Sequence, residues 1–346
     1  MSNKPEHKSK MFKEAGEAHM RVRDQLMLNK PDMSRLASQL QRSPPQFVMT
    51  CGRGSSSHAG VYARYLIETQ LGIPVLPAAP SLNSVYAVKQ KLDGVLFLAI
   101  SQSGESPDIL ASAQAAKSGG AYVVAIVNNE ASPLAALSHM VIPIHAGEEK
   151  SVAATKTFIC TLSAIADLVA RWGKISKLSE GLNSLPVKLK KAFQINWDTT
   201  VNDLENTQSL FVISRGFGLG IAKEAALKFK ETCGIHAEAF SAAEIKHGPM
   251  ALVNKGFPVM IFSTSDNSQS SIDDVAQLFI SRESHIFATG RSYNGSVRLP
   301  TVESALPELL PIISIQTFYR FINALSFRRG LDPDMPEYLS KITKTV

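Results

Sequence analysis

The chain repeats itself. Displacing the sequence by 162 residues lays one half on the other without a gap. The apolar run that begins Phe47-Val48-Met49 and ends at Arg53-Gly54 falls on the run that begins at Ser209, continues Leu210-Phe211-Val212-Ile213 and ends at Arg215-Gly216. Gly72-Ile73 falls on Gly234-Ile235, and the end of the run from Val95 to Ile100, Phe97 to Ile100 followed by Ser101, falls on Val259 to Phe262 followed by Ser263. Val123 to Val127 lands on His285 to Thr289. Four elements sharing one offset define a duplication, so the chain must fold as two copies of one domain. A length of 346 residues fits that division, since a single domain ordinarily takes about 150.

Each half reads as a short β-rich run, a glycine-containing turn and then a stretch of helical periodicity. Leu96-Phe97-Leu98-Ala99-Ile100 and Tyr122-Val123-Val124-Ala125-Ile126-Val127 are continuous apolar runs, as strands buried on both faces of a parallel sheet require. Residues 107–117 (PDILASAQAAK) lie between them as a helix with proline in its first turn. Strand, helix, strand at this spacing is a βαβ unit, which predicts an α/β chain of two duplicated three-layer domains with mainly parallel sheets. The expected divisions are a helical lead-in over 1–34, a first domain over 35–180, a second over 200–335 and a tail over 336–346. The joining stretch from about 174 to 202, with KLKKAFQINWDTTVNDL at its centre, is expected to be an amphipathic helix bridging the halves.

Composition removes whole classes of function. Hydrophobic residues make up 45% and charged residues 19%, which excludes disordered, collagen-like and coiled-coil chains. No run approaches the ~18 apolar residues of a membrane helix, and MSNKPEHKSK has no apolar region behind its charges, so neither a membrane span nor a signal peptide is expected. Three cysteines without a CxxC pair point away from a disulfide framework and toward a reducing, cytoplasmic compartment. The net charge of +6 comes without a dense Lys/Arg run or a basic stripe interleaved with aromatics, which favours a small anionic ligand over nucleic acid or a membrane surface.

Ser101-Gln102-Ser103-Gly104-Glu105-Ser106 follows a buried strand and leads into a helix. Strand ends of this kind face the ligand crevice of a parallel α/β fold, and a helix N-terminus offers unpaired N–H groups and a positive dipole end. Hydroxyls and an amide gathered there suit a phosphate monoester. The second copy reads Ser263-Thr264-Ser265-Asp266-Asn267-Ser268, which loses the glycine and gains an acid, so one phosphate loop is expected, in the first half. The turn Cys51 to His58, with Ser55 and Ser56, also leaves a strand to start a helix. Gly216-Phe217-Gly218-Leu219-Gly220 lacks the third glycine of a dinucleotide fingerprint because Ile221 stands there, so no nicotinamide cofactor is expected. The loop from Glu148 to Thr157 precedes an apolar helix.

Lys228 and Glu231 are three apart and share a helical face. Their helix is otherwise mostly small or apolar, and a carboxylate in such a setting gains the proton affinity a general base needs. His247 lies in a turn-rich segment that exposes its imidazole. His139, His145, His236 and His247 show no metal-ligand spacing, so no metal site is expected. Lys341 reads by itself as a solvated lysine near the chain end.

Serine–glycine loops in a duplicated α/β chain, with KFKE, HAE, KHGP and a C-terminal lysine, resemble the sugar isomerase (SIS) domain family. Within it they resemble the isomerase half of glucosamine-fructose-6-phosphate aminotransferase, over nearly the whole chain and including the spacing of 16 from Glu231 to His247. The resemblance implies a five-stranded sheet in each domain and a phosphosugar substrate. It implies that Ser101, Gln102, Ser103 and Ser106 grip the phosphate with Ser55 and Ser56 nearby. The loop Val152-Ala153-Ala154 would meet the sugar through its backbone, with Ser340 in the tail beside it. Glu231 would move a proton between C1 and C2 with help from Lys228, and His247 would open the ring from the second subunit of a homodimer. Lys341 would stand at the carbonyl end and could form a Schiff base.

The departures shape the expected reaction. The aminotransferase carries an N-terminal glutaminase domain, whereas here Met1 opens a short lead-in and is not followed by a nucleophilic cysteine. Ala154 stands at a serine position, Glu337 at an arginine and Ser106 at a threonine of that family. Without a source of ammonia the same site run backwards would release it. The expectation is a deaminase taking D-glucosamine 6-phosphate and water to D-fructose 6-phosphate and ammonia, with no cofactor and no nucleic-acid or membrane partner. The alternatives are galactosamine 6-phosphate or a fructosamine 6-phosphate as substrate, or a non-catalytic sugar-phosphate sensor.

Overall fold

The computed structural model of the chain describes residues 9–341, so the first eight residues, with their signal-peptide reading, and the tail from Ile342 onward lie outside it. The elements begin with helices α1 (Lys10–Leu28) and α2 (Lys30–Arg42). Then follow β1 (Phe47–Cys51), α3 (Ser55–Leu71), β2 (Val75–Pro77), α4 (Ser81–Ser84), β3 (Val95–Ser101), α5 (Pro107–Ser118), β4 (Tyr122–Val127), α6 (Pro133–Leu137) and β5 (Met140–Pro143). Helices α7 (Lys156–Trp172), α8 (Ser176–Gln194) and α9 (Asp198–Leu204) lead to β6 (Ser209–Ser214) and α10 (Leu219–Cys233). The chain continues through β7 (His236–Ser241), β8 (Pro258–Ile261), α11 (Gln269–Ser281), β9 (His285–Thr289), β10 (Ser296–Leu299) and α12 (Leu310–Arg328).

Two five-stranded sheets form, ordered β2-β1-β3-β4-β5 and β7-β6-β8-β9-β10, with every neighbouring pair parallel. The order is the same in both, as the duplication predicts. Corresponding helices α3 and α10 each end at a left-handed glycine, Gly72 (φ +68°) and Gly234 (φ +61°), where a side chain would be strained. The fifth strands break the offset: β5 starts at Met140 and β10 at Ser296, and the helix α6 between β4 and β5 has no counterpart between β9 and β10. Each residue of the central strand β3 is buried, in keeping with helices on both faces of a parallel sheet.

The chain divides into two compact units. The first-half unit comprises Met20–Glu149, Lys156–Ser184, Ser340 and Lys341, with a core that includes Phe97, Ile109, Val123 and Leu134. The second-half unit comprises residues 9–19, Lys150–Thr155 and Leu185–Leu339, with a core that includes Ile213, Val259, Ile272 and Phe279.

The single joining helix expected over KLKKAFQINWDTTVNDL is two helices. α8 stops at Gln194 and α9 starts at Asp198. Between them Trp197 leaves helical geometry (φ −125°, ψ 44°), buries its indole against Phe321 and donates from Nε1 to the Pro300 carbonyl at 2.8 Å. A tryptophan that must bury its ring and pair its N–H fixes the backbone beside it.

The start of α1 is held by a residue far away in sequence. Asp334 accepts from the backbone N–H of Lys10 at 2.6 Å and of Met11 at 2.8 Å, while the Ser9 hydroxyl accepts from Phe12 N at 2.9 Å. The first N–H groups of the helix thus meet an anion and a hydroxyl, as the unpaired donors and the dipole demand. Asp334→Ala is expected to lower unfolding stability by about 1 kcal/mol, read as a lower urea midpoint at unchanged slope.

Candidate active site

In the first-half unit the candidate phosphate loops leave the carboxyl ends of β1 and β3, neighbours in the sheet with Cys51 opposite Ala99. The chain runs from β1 outward to β2 and returns on the other side of β1 to form β3. The crevice between them is therefore a topological switch point, where parallel α/β sheets bind ligands. Arg53 from the first loop reaches Asp108 in the first turn of α5, Nε to Oδ2 at 2.7 Å, with the carboxylate fully buried and the guanidinium about half exposed. That ion pair ties the two loops together. The Cys51 thiol beneath them is pushed up to about 12 by burial, against the opposing Ser112 hydrogen bond, so it is no nucleophile.

The six hydroxyl and amide residues expected here do gather at these strand ends. Ser101 is buried, and its Oγ accepts from Gly104 N at 3.0 Å, which shapes the turn and leaves the hydroxyl hydrogen to give. Ser103 Oγ accepts from Glu105 N at 3.3 Å, and Gln102 is half-buried. Ser106 occupies the N-cap of α5 but accepts no helix N–H, which leaves its hydroxyl to another partner. Ser55 and Ser56 open α3, both half-buried.

Lys341 is not simply solvated. Its Nζ stands 3.3 Å from Oε2 of Glu149, a buried carboxylate that also accepts from Thr157 N and, at 2.6 Å, from Thr157 Oγ1. Ser340 beside it is exposed.

In the second-half unit Lys228 and Glu231 do share a face of α10, but their setting is charged rather than apolar. The Lys228 side chain is 1% exposed and its ammonium lies between two carboxylates, 2.6 Å from Glu231 Oε2 and 3.1 Å from Glu224 Oε1. Burial would strip its proton, but Glu224 and Glu231 outweigh that cost and raise its proton affinity above the ordinary lysine value. Tyr319 on α12 donates to Glu224 Oε1 at 3.3 Å. Glu224 is completely enclosed, whereas Glu231 keeps 21% of its side chain open. An ammonium fixed against a carboxylate that still meets solvent can steady the charge changes of that carboxylate as it takes and returns a proton.

The loop with Val152, Ala153 and Ala154 is anchored from its start, where Glu14 on α1 accepts from the backbone N–H of Lys150 at 2.5 Å and of Ser151 at 3.2 Å. Ala153 is buried, with Val152 and Ala154 half-buried. His247 is exposed, closing a turn through its N–H to the Glu244 carbonyl at 2.9 Å. Among the described residues no hydrogen bond or ion pair joins it to Lys228 or Glu231.

Sequence reasoning missed Glu224, Tyr319, Glu149, Thr157 and the Arg53–Asp108 pair. Glu224 had a readable signal, four residues before Lys228 in the favoured Glu-to-Lys order. Among the described residues no three His, Cys, Asp or Glu side chains gather as metal ligands, and no helix is long and apolar enough to cross a membrane. The Gly216–Gly218 turn packs against its own strand, with a Cβ at Gly218 falling 2.1 Å from Ser214 Oγ. Gly104 is the most constrained point of the Ser101–Ser106 loop. It has φ +67°, and a Cβ there would fall 2.2 Å from Ser132 Oγ. Gly104→Ala is expected to cost about 1–3 kcal/mol in a chemical melt and to displace the Ser101–Ser106 turn.

Comparison with known proteins places this architecture. The SIS domain model matches residues 46–171 and 203–297, more than half of the chain. A glutamine–fructose-6-phosphate aminotransferase [isomerizing] of Sulfurisphaera tokodaii is 35% identical over 306 residues, covering 85% of this chain and 49% of its own length. The chain thus spans about half the length of such curated relatives. Among solved structures, a proposed phosphosugar isomerase of Silicibacter pomeroyi is 41% identical with TM-score 0.90, covering 94% of this chain and all of its own. The C-terminal domain of glucosamine-fructose-6-phosphate aminotransferase from Francisella tularensis is 26% identical with TM-score 0.85, covering 97% and 100%. At 19% identity and TM-score 0.77, over 97% of this chain and 100% of its own, a glucosamine-6-phosphate deaminase of Thermotoga maritima shares the fold. The chain belongs to the SIS domain family.

Proposed function

We propose that the chain is a glucosamine-6-phosphate deaminase, converting D-glucosamine 6-phosphate and water to D-fructose 6-phosphate and ammonia. The observation that carries the reading is the Glu224–Lys228–Glu231 array, which pairs a solvent-reaching carboxylate with an enclosed ammonium. The names of the relatives support the substrate class: the curated ones are named for isomerizing amino transfer on fructose 6-phosphate, and one protein of the same fold for the deamination.

The proposal assigns the phosphate to Ser101, Gln102, Ser103 and Ser106 at the N-terminus of α5, with Ser55 and Ser56 beside it. The backbone of Val152–Ala154 and the Ser340 segment meet the sugar. His247 shuttles the proton that opens the pyranose ring, and Lys341, steadied by Glu149, attends the carbonyl end. Glu231 then removes the C2 proton of the open aldehyde. The electrons of the C–H bond form the C1–C2 double bond while the C1=O π pair moves onto O1, which takes a proton from the substrate's own ammonium, and an enolamine results. Returning the proton to C1 gives a C2 ketimine, and water adds to it, expelling ammonia and leaving the C2 ketone.

Purified protein given glucosamine 6-phosphate is expected to release ammonia and fructose 6-phosphate in equal amounts, and Glu231→Gln to lose about 10²–10⁴-fold of turnover while keeping its affinity for the sugar phosphate. Products from galactosamine 6-phosphate alone would keep the mechanism and change the sugar. Ammonia from neither sugar, by folded protein, would overturn the reading.

The proposal includes a homodimer in which His247 is supplied across the interface, C2 being the common symmetry for such sharing. Mixing inactive Glu231→Gln and His247→Ala proteins after unfolding and refolding together should then recover roughly a quarter of wild-type activity, since half the dimers are mixed and each has one intact site. No recovery would place both residues in one subunit's site.

A further inference from the structure

Arg53 lies at the first-half crevice with most of its hydrogen-bonding capacity unused. Its Nε donates to the buried Asp108 carboxylate at 2.7 Å, and among the described residues its terminal Nη1 and Nη2 groups make no hydrogen bond. A guanidinium has five N–H groups, and the four on the terminal nitrogens are open here, on a side chain that is 52% exposed. We propose that Arg53 is a specificity-determining residue of this unit, its terminal nitrogens receiving the phosphate of a sugar phosphate seated on the Ser101–Ser106 turn. The inference rests on the phosphate assignment made above and is independent of the reaction that follows.

Both ends of the residue are fixed before a ligand arrives. Its carbonyl accepts from Ser56 N at 3.0 Å, in the first turn of α3. The backbone on either side is pinned: Gly54 has φ +51°, and a Cβ on Gly52 would fall 2.9 Å from the Cβ of Ser56. At the far end Asp108 holds Nε two residues beyond Ser106, the N-cap of α5. A planar and permanently charged fork thus stands beside a helix N-terminus, where it can meet two phosphate oxygens with little ordering left to do.

The charge balance of the turn calls for such a cation. The six residues assigned to the phosphate are neutral, whereas Glu105 and Asp108 are acids. Among the described residues no other cation pairs with residues 101–108. A phosphate monoester brings about −1.5 to −2 charges at pH 7, and without Arg53 it would meet a buried carboxylate with only hydroxyls, an amide and a helix end to hold it. The fold itself does not require the bridge. The repeat keeps an arginine at the corresponding position, Arg215, but has Ser270 where Asp108 stands. The arginine-to-acid bridge belongs to the copy whose turn carries Gly104.

The test is calorimetric titration of the full chain with fructose 6-phosphate and, separately, with inorganic phosphate. Arg53→Gln is expected to weaken both about 10–100-fold, the loss of charged hydrogen bonds. That substitution also leaves the Asp108 carboxylate buried without its partner, so the decisive protein combines Arg53→Gln with Asp108→Asn and leaves no orphan charge. It is expected to bind as weakly as the single variant. Arg53→Lys, which keeps the charge without the fork, should fall between that variant and wild type. Wild-type affinity in the double variant would overturn the proposal and leave Arg53 as a counter-ion to Asp108 alone. Binding of neither ligand by folded wild-type protein would overturn the phosphate assignment and this inference with it. Phosphate binding that no Arg53 variant weakens would overturn this inference while the phosphate assignment stands.

Discussion

A lysine ammonium enclosed in protein must be paired or it will not stay charged, and Lys228 meets that demand with two carboxylates. Its partners lie four residues before it and three after, so the pairing exists only while residues 224–231 are helical. Breaking a buried ion pair on one side typically costs about 3–5 kcal/mol, so the array also secures the helix itself, which packs beside β6, β7 and α12. Tyr319 fixes the deeper carboxylate from α12, which leaves Glu231 as the member of the three that reaches solvent. A stable fold and a usable base thereby come from the same three side chains.

The duplicated sheets have one strand order, yet the loops at their carboxyl ends have diverged in chemistry. In the first copy Gly104 lets the chain turn with φ +67° against Ser132, and the resulting loop presents hydroxyls at the start of α5. In the second copy Asp266 and Gln269 use their side chains to satisfy the backbone of the equivalent turn. The same scaffold position thus carries a glycine turn in one unit and an acidic, side-chain-bonded turn in the other.

Much of the fold was legible in the sequence because its signals are local. Apolar runs of five or six residues marked the central strands, and Pro107 marked the first turn of a helix. The gathering of Ser101–Ser106 at a strand end was legible for the same reason. What escaped depends on partners distant in sequence. Trp197 divides the joining helix because its indole finds Pro300, and Asp334 caps a helix that begins more than three hundred residues earlier. Glu149 claims Lys341 from 192 residues away, and Glu14 fixes the loop at Lys150 from 136. Glu224 was local and readable, but an acid four residues before a lysine signals a buried array only once the helix is known to be enclosed.

The account centres on Glu231 as the base that handles the C2 hydrogen beside an enclosed ammonium. Its most direct test follows that hydrogen itself, by proton NMR of glucosamine 6-phosphate deuterated at C2 and turned over in ordinary water. The account predicts that wild-type protein strips the deuterium from C2, and that Glu231→Gln leaves it in place while still interconverting the anomers of the bound sugar. Loss of the C2 deuterium at the wild-type rate in Glu231→Gln would contradict it and assign the proton transfer to another group.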